Sequence, residues 1–329
     1  MCMNNIWYMG IIRRCCGIGS DKLRSEDEII RILPSDICNE IKNYLFTGDV
    51  QEIRIKVNKP IIVHISNEEV VLNKIATVKH IKDILVKVSN YSLYAYEEEI
   101  KQGYITIKGG HRIGLAGECV LSNGEVKTIK NISSLNIRIC NEVKGCSNEV
   151  IKYIVNKNKV NNTLIISPPK CGKTTMLRDI ARNISNGMSL YSLKGKKISI
   201  IDERSEIASS FNGVPQLDVG IRSDVLDNCL KKDGMIMAIR SLSPEVLICD
   251  EIGTEAEIDA LNMAFNSGVN IIVTIHGNSI EDIYKRKVFK EFIEGSILER
   301  VVVLSNKKGP GTIENIYSIE IGGGLKCLK

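Results

Sequence analysis

The chain of 329 residues is poor in aromatics: phenylalanine, tryptophan and tyrosine make up 5% of it, with a single tryptophan. That leaves little surface on which bases stack, and it argues against a nucleic-acid strand as partner. A dense basic block is also missing. Against 39 acidic residues stand 44 basic ones, for a net charge of +5. So mild an excess suits a compact anionic partner, a nucleotide or a membrane surface, better than a nucleic-acid backbone. No apolar run approaches the length of a membrane span, so any membrane role is expected to be peripheral. The eleven cysteines contain no Cys-x-x-Cys pair, which removes the spacing of a zinc site. They are scattered through a chain too long for a disulfide scaffold. Cys38, Cys119, Cys140, Cys229 and Cys249 lie in apolar or mixed stretches and read as small hydrophobes in a reducing cytosol. There is no internal repeat and no low-complexity segment.

What remains is ordinary globular composition, 43% hydrophobic and 25% charged, enough for one large domain or two modest ones. The first 25 or so residues stand apart. Trp7 to Ile12 form a short apolar patch followed, not preceded, by Arg13 and Arg14. That order makes a poor signal peptide. Residues 1–25 are expected to be a disordered or extraneous tail, with a short interfacial anchor as the alternative.

From Glu26 the spacing turns helical through Ile29, Ile30, Leu33 and Ile37, with a break at Pro34. Ile53, Ile55 and Val57 alternate with charges and return through Ile61 to Ile65, which predicts a hairpin. Helices are expected over 78–88 and 94–101, the latter stopped by Gly103. Strands are expected over 104–108, 112–121, 126–129 and 135–140, with turns at Gly109-Gly110 and Asn123-Gly124. Residues 26–145 thus read as an N-terminal α+β domain. The polar stretch Asn156 to Asn162 separates a linking helix from a different pattern. There, continuous apolar runs (163–166, 198–201, 246–249, 269–275) alternate with helices, notably 173–185 and 256–266. Such runs suit strands buried on both faces of a parallel sheet. Residues 146–329 are therefore expected to form a doubly wound α/β domain, with late strands at 301–304 and 313–319 around the Lys308–Gly311 turn and a loose end at Gly322 to Gly324.

The sharpest motif is Ser167-Pro168-Pro169-Lys170-Cys171-Gly172-Lys173-Thr174, after a buried strand and before a helix, with Thr175 following. Backbone N–H groups of such a loop wrap a β-phosphate, and the helix N-terminus adds its dipole. Lys173 is expected on the β- and γ-phosphates of ATP, and the Thr174 hydroxyl on Mg²⁺. Ser167 and Lys170 stand where glycine is common; Ser167 is the graver departure, because a side chain narrows the backbone geometry open to it. The apolar strand Val246 to Cys249 ends in Asp250, expected to hold Mg²⁺ through water, and Glu251, expected to polarise the attacking water. Asp202 to Glu206 end another strand, and ligands of open α/β sheets gather at such ends. Glu203 or Glu206 is expected to help position water. Thr274 or His276 is expected to sense the γ-phosphate. Cys171, near a helix N-terminus, reads as an inert small residue, with oxidation that blocks nucleotide binding as the alternative.

Four longer motifs recur in order: Gly109–Gly117, Ile201–Ala208, Arg240–Val246 and Asp250–Gly253. Together they resemble the stage III sporulation protein AA family, from about Glu26 to Tyr317. The resemblance implies a RecA-like P-loop ATPase related to the ATPases of secretion and pilus machines. It implies a homo-hexamer in the mother cell, cytoplasmic and peripheral to the inner face of the membrane, working with membrane proteins of the channel between mother cell and forespore. It also implies that Arg112 and Arg138 reach the nucleotide, where an arginine offsets charge on the γ-phosphate. Thr254 departs from the pattern, which leads one to expect arginine. Two other readings stay open: a nucleotide-gated scaffold with little hydrolysis, and a nucleic-acid-translocating ATPase.

Overall fold

The computed structural model describes residues 27–47, 50–65, 68–90, 96–294, 297–320 and 324–329. The expected tail and part of the glycine-rich end lie outside the described residues, as does the start of the helix expected at Tyr94. The chain divides between Asn141 and Glu142 into two units.

In the first unit, residues 27–32 are helical and the helix stops before Pro34. Proline cannot donate to a continuing helix. Then follow α1 (Ser35–Thr47), β1 (Val50–Lys56), β2 (Pro60–Ile65), β3 (Glu68–Ile75), α2 (Val78–Val88), α3 (Glu97–Lys101), β4 (Tyr104–Ile107), β5 (His111–Ser122) and β6 (Glu125–Arg138). The strands form one antiparallel sheet in the order β3-β2-β1-β6-β5-β4. Alternate residues of each central strand turn inward: Ile53 and Ile55, Ile61 and Val63, Ile113 and Leu115, Leu135 and Ile137. They pack with Ile37, Ile41 and Leu45 of α1 and with Ile81, Ile84, Leu85 and Val88 of α2 in one core. Two sequence expectations need correction. β3 was not anticipated. And β6 is a single strand, where two were expected. Its polar middle carries no alternating pattern, yet backbone pairing with β5 continues through it across a register shift between Ala116 and Glu118.

The second unit opens with α4 (Asn148–Ile154) and the two-residue strands β7 (Val155–Asn156) and β8 (Lys159–Val160). The stretch expected to be a polar separator is therefore a tight hairpin ending in a buried lock. Asn162 donates to the Ile297 carbonyl at 2.9 Å and accepts from the Ile271 N–H at 2.9 Å. After it come β9 (Thr163–Ser167), α5 (Lys173–Asn186), β10 (Ile198–Asp202), β11 (Ser223–Asp227), α6 (Lys231–Ser241), β12 (Val246–Cys249), α7 (Glu255–Asn266), β13 (Asn270–His276), α8 (Ile280–Tyr284), α9 (Lys287–Glu294), β14 (Arg300–Ser305), β15 (Thr312–Ile319) and β16 (Leu325–Cys327). The sheet order is β11-β10-β12-β13-β9-β14-β15-β16. It is parallel from β11 to β14, with β15 and β16 added antiparallel. β11, α6 and β16 were not anticipated.

Both faces of this sheet are covered. Leu164 and Ile166 join Leu247, Ile271 and Val273 against α6 and α7, with Phe289 and Ile293 of α9. Ile165 faces the other way, with Ile200, Ile248 and Ile272, against α4 and α5. Side chains alternate across the sheet, so a strand covered twice must be apolar at every position. Leu164 to Ile166 and Val246 to Cys249 are apolar throughout, while Ser199 and Thr274 are buried polar residues within their strands. Among the described residues, no helix is long and apolar enough to cross a membrane.

Candidate active site

Register brings the carboxyl ends of four strands together. His276 pairs with Ser167, Val273 with Cys249, and Cys249 with Ile201. The residues just beyond are the phosphate loop, Thr274 to His276, Asp250-Glu251 and Asp202 to Glu206.

The phosphate loop leaves β9 at Ser167, still in strand conformation and fully buried. The left-handed turns fall at Lys170 (φ 60°) and Gly172 (φ 77°). Ser167 is thus not the position that needs glycine, which corrects the expectation; its hydroxyl donates to the Pro168 carbonyl at 2.9 Å. Gly172 is the N-cap of α5 and supplies no side-chain acceptor to its first amides. Behind the loop, the Lys308–Gly311 turn gives it a backing: the Gly311 N–H donates to the Cys171 carbonyl at 2.8 Å. A Cβ on Gly172 would meet that nitrogen at 3.2 Å. Cys171 itself is 2% exposed. Burial withholds its thiol from solvent oxidants, which removes the physical basis of the redox alternative.

Lys173 is buried, and its ammonium lies 2.8 Å from Glu251 Oε1 and 3.4 Å from Asp250 Oδ1. The Thr174 hydroxyl donates to Asp250 Oδ2 at 2.5 Å. The Thr274 hydroxyl donates to Asp250 Oδ1 and accepts from the Glu251 N–H at 2.8 Å. Thr274 thus anchors the acidic pair, a role different from the γ-phosphate sensing expected of it or of His276. His276 Nε2 lies 2.8 Å from Glu251 Oε1, and Arg204 Nη1 donates to Glu251 Oε2 at 3.0 Å. Burial raises the proton affinity of the Glu251 carboxyl. The hydrogen bond and charge of Lys173, with the charges of His276 and Arg204, outweigh it and hold the carboxyl below its ordinary range.

The Asp202 loop is organised from beneath. Asp202 Oδ1 accepts the Glu206 N–H at 2.8 Å, and Oδ2 accepts those of Ile207 and Ala208 at 2.9 and 2.8 Å. Burial pushes the Asp202 carboxyl up despite these three donors. Arg178, from α5, donates to the carbonyls of Ile207 and, at 2.7 Å, Glu206. The Glu206 main chain is therefore part of this scaffold, while the Glu203 carboxylate meets Lys231 at 3.1 Å. Thr254, the departure from the family pattern, caps α7: its hydroxyl and Glu257 form a capping box.

Arg112 and Arg138 belong to the first unit, where they are direct cross-strand partners on β5 and β6. Arg112 lies 4.7 Å over the Tyr104 ring, and Arg138 Nε is 3.7 Å from Glu52. Sequence reasoning missed Arg178, Arg204, Lys231 and Glu257. Arg204 and Glu257 lie within or beside motifs already singled out; Lys231 follows an exposed leucine and precedes a second lysine, which reads as a solvated face.

The donor set fits a magnesium nucleotide. Thr174 and Asp250 offer hard oxygen donors within one hydrogen bond of each other, Lys173 is a buried cation, and α5 begins with amides that no side chain caps. Residues 23–322 match the family described as sporulation stage III, protein AA. Stage III sporulation protein AA of Bacillus subtilis (strain 168) is 44% identical over 294 residues, covering 88% of this chain and 94% of that protein. Among solved structures, the ATPase DotB of Legionella pneumophila superposes with a TM-score of 0.56 at 12% identity, covering 90% of this chain and 81% of its own. The pilus retraction motor PilT, solved with bound ADP, gives 0.53 at 14%, covering 88% and 80%. At such identities the likeness is one of fold, the RecA-like P-loop fold of secretion ATPases. With its family match and its close relative spanning most of its length, the chain belongs to the stage III sporulation protein AA family.

Proposed function

We propose that this protein binds and hydrolyses Mg-ATP at the strand ends of its second unit. The observation that carries the reading is the convergence of Lys173, Thr174, Asp250 and Glu251 from two strand ends within hydrogen-bonding distance. The phosphate loop, Ser167 to Thr175, wraps the phosphates with main-chain amides. Lys173 exchanges Glu251 for phosphate oxygens of like charge. Thr174 and Asp250 hold Mg²⁺, which screens charge on the phosphates. Once released by Lys173, Glu251 orients the attacking water and takes its proton; Glu203 or Glu206, which line the same pocket as Glu251, helps to position that water. His276 keeps Glu251 directed toward the phosphate loop. These roles need positioned charge rather than covalent help, which is what phosphoryl transfer demands.

Family membership extends the reading. The protein works in sporulation as a homo-hexameric motor, with Arg112 and Arg138 contributing charge to a nucleotide, at the cytoplasmic face of the membrane beside channel proteins. The two arginines are direct cross-strand partners, which brings their charges to one place.

The test is ATP turnover by purified protein beside Lys173→Ala and Glu251→Gln. Lys173→Ala is expected to lose nucleotide binding. Glu251→Gln is expected to keep it while kcat falls by about 10²–10⁴, the usual worth of a general base. Equal turnover in all three would end the enzyme reading. Particle mass with and without a non-hydrolysable analogue and Mg²⁺ tests the hexamer.

A further inference from the structure

Lys231 is the first residue of α6, its side chain is 12% exposed, and nothing in the mechanism above uses it. A cation at a helix N-terminus opposes the helix dipole. A buried cation also pays desolvation unless partners compensate it. Both costs are met here by groups of the active site. Lys231 Nζ donates to the Glu251 main-chain carbonyl at 2.8 Å and lies 3.1 Å from Glu203 Oε2 and 3.6 Å from Glu257 Oε1. Desolvation alone would ease its proton off, but Glu203 and Glu257 reverse that and leave its pKa raised.

Each partner leads into a loop that the catalytic residues occupy. Glu203 lies on the loop after β10, whose main chain Asp202 and Arg178 already fix. Glu257 uses its other oxygen to accept the N–H groups of Gly253 at 2.6 Å and Thr254 at 3.0 Å. Glu251 sits between, at φ 54°, a left-handed backbone that a glutamate holds only when its surroundings impose it. The lysine bond to its carbonyl is one such restraint. The Glu251 N–H to Thr274 and the Ile252 N–H to the Thr274 carbonyl, at 2.9 Å, are the others.

We propose that Lys231 is a positioning residue: by bridging Glu203, Glu257 and the Glu251 carbonyl it locks the two acidic strand-end loops together and fixes the direction of the Glu251 carboxylate. The inference rests on the hydrolytic reading above for its consequence in turnover, but not for its consequence in backbone order. Methionine in place of the lysine fills its volume and leaves Glu203 and Glu257 facing each other without a cation. Arginine keeps the charge and exchanges one geometry for another.

The experiment compares full-length wild type, Lys231→Met and Lys231→Arg by three readouts: kcat, the dissociation constant of a fluorescent ATP analogue with Mg²⁺, and amide hydrogen exchange without nucleotide. In Lys231→Met, kcat is expected to fall about 10–100-fold, the usual effect of losing a partner that orients a ligating or reacting group. Nucleotide affinity is expected to stay within about threefold, because the phosphate loop keeps its own backing. Exchange is expected to quicken over residues 251–254 and to stay unchanged in β9 and β12. Lys231→Arg is expected to recover part of the turnover. Wild-type kcat in Lys231→Met overturns the proposal. So does a fall in affinity that parallels the fall in kcat, with exchange quickened throughout the sheet, since that marks a residue serving only stability. Should the wild type show no turnover, the hydrolytic reading fails by itself, and exchange at 251–254 then decides the positioning role. If Lys231→Met does not fold, Lys231→Arg decides by the same readouts: unchanged kcat and exchange overturn the proposal.

Discussion

The two sheets of this protein place their polar groups by opposite rules. In the antiparallel sheet the described helices pack on one face, and polar residues run in a row across the strands on the other. Arg112, Arg138, Glu52, His64 and Glu69 are successive cross-strand partners on β5, β6, β1, β2 and β3. In the parallel sheet both faces are covered, and a charge within a strand would be buried on either side. There a charged cluster gathers at the carboxyl ends of the central strands, where Lys173, Asp202, Asp250, Glu251 and His276 come together. A row spread along an open face meets water and stays exchangeable. A cluster at strand ends is partly desolvated, each ion finds its partner, and its charges act with less screening. The difference explains why a compact charged cluster forms in one unit and a broad charged surface in the other.

The comparison predicts its own largest test. Ile165 and Ile166 point to opposite faces of β9 and both are fully buried. Ile165→Ala and Ile166→Ala are each expected to cost about 2–5 kcal/mol in urea unfolding, the range for deleting a buried aliphatic side chain. On β1 the same pair of positions should split. Ile53→Ala is expected to cost as much, whereas Arg54→Ala, on the open face, is expected to cost less than about 1 kcal/mol, the worth of an exposed ion pair. A cheap substitution at either Ile165 or Ile166 would show that one face of the parallel sheet is not closed.

Next in size is Asp202→Asn. The change keeps the shape but turns one acceptor oxygen into a donor facing main-chain N–H groups. The expected loss is about 1–3 kcal/mol, the cost of leaving a buried donor unsatisfied. It should loosen residues 203–208 in hydrogen exchange and leave the first unit's exchange as it was. Because ionised Asp202 is held against its burial, its folded-state pKa lies above the ordinary value. The sign follows: this group favours folding most at low pH, and that advantage is lost as pH rises through the raised pKa. At neutral pH the deficit of Asp202→Asn is therefore the cost of the lost hydrogen bonds less the burial penalty that the ionised carboxyl carries, and it widens as pH falls.

What the sequence disclosed and what it hid follow the same contrast. Leu164 to Ile166 and Val246 to Cys249 are uniformly apolar because both faces bury them, and a uniform run between turns marks such a strand plainly. The phosphate loop and Asp250-Glu251 were legible because their residue types follow from the chemistry of phosphate and magnesium. Edge strands were not. β3 buries only Leu72 and β11 buries no residue fully, so neither carries an alternating pattern. Lys231, Arg178 and Arg204 were hidden for another reason. Their partners are 20, 28 and 47 residues away in sequence, and only the closing of the sheet brings each pair together. Thr254 looked like a lost arginine and proves to be a helix cap, a role readable from Glu257 three residues on.

The smallest expected effect concerns the loop itself. Lys170 holds φ 60°, while Ser167 continues a strand. A non-glycine residue in the left-handed region costs about 1–2 kcal/mol, and glycine gives back about 0.5–1 kcal/mol through the freedom it adds to the unfolded chain. Lys170→Gly is therefore expected to be neutral or to stabilise by up to about 1 kcal/mol in urea unfolding. Ser167→Gly runs the other way. It removes the hydroxyl bond to the Pro168 carbonyl and frees a backbone that is already extended, so a loss of about 0.5–1 kcal/mol is expected. A destabilising Ser167→Gly beside a neutral or stabilising Lys170→Gly would place the loop's demand for glycine at Lys170. A stabilising Ser167→Gly with a destabilising Lys170→Gly would reverse that reading, and would mean that the lysine side chain holds the turn through contacts worth more than the strain its backbone carries.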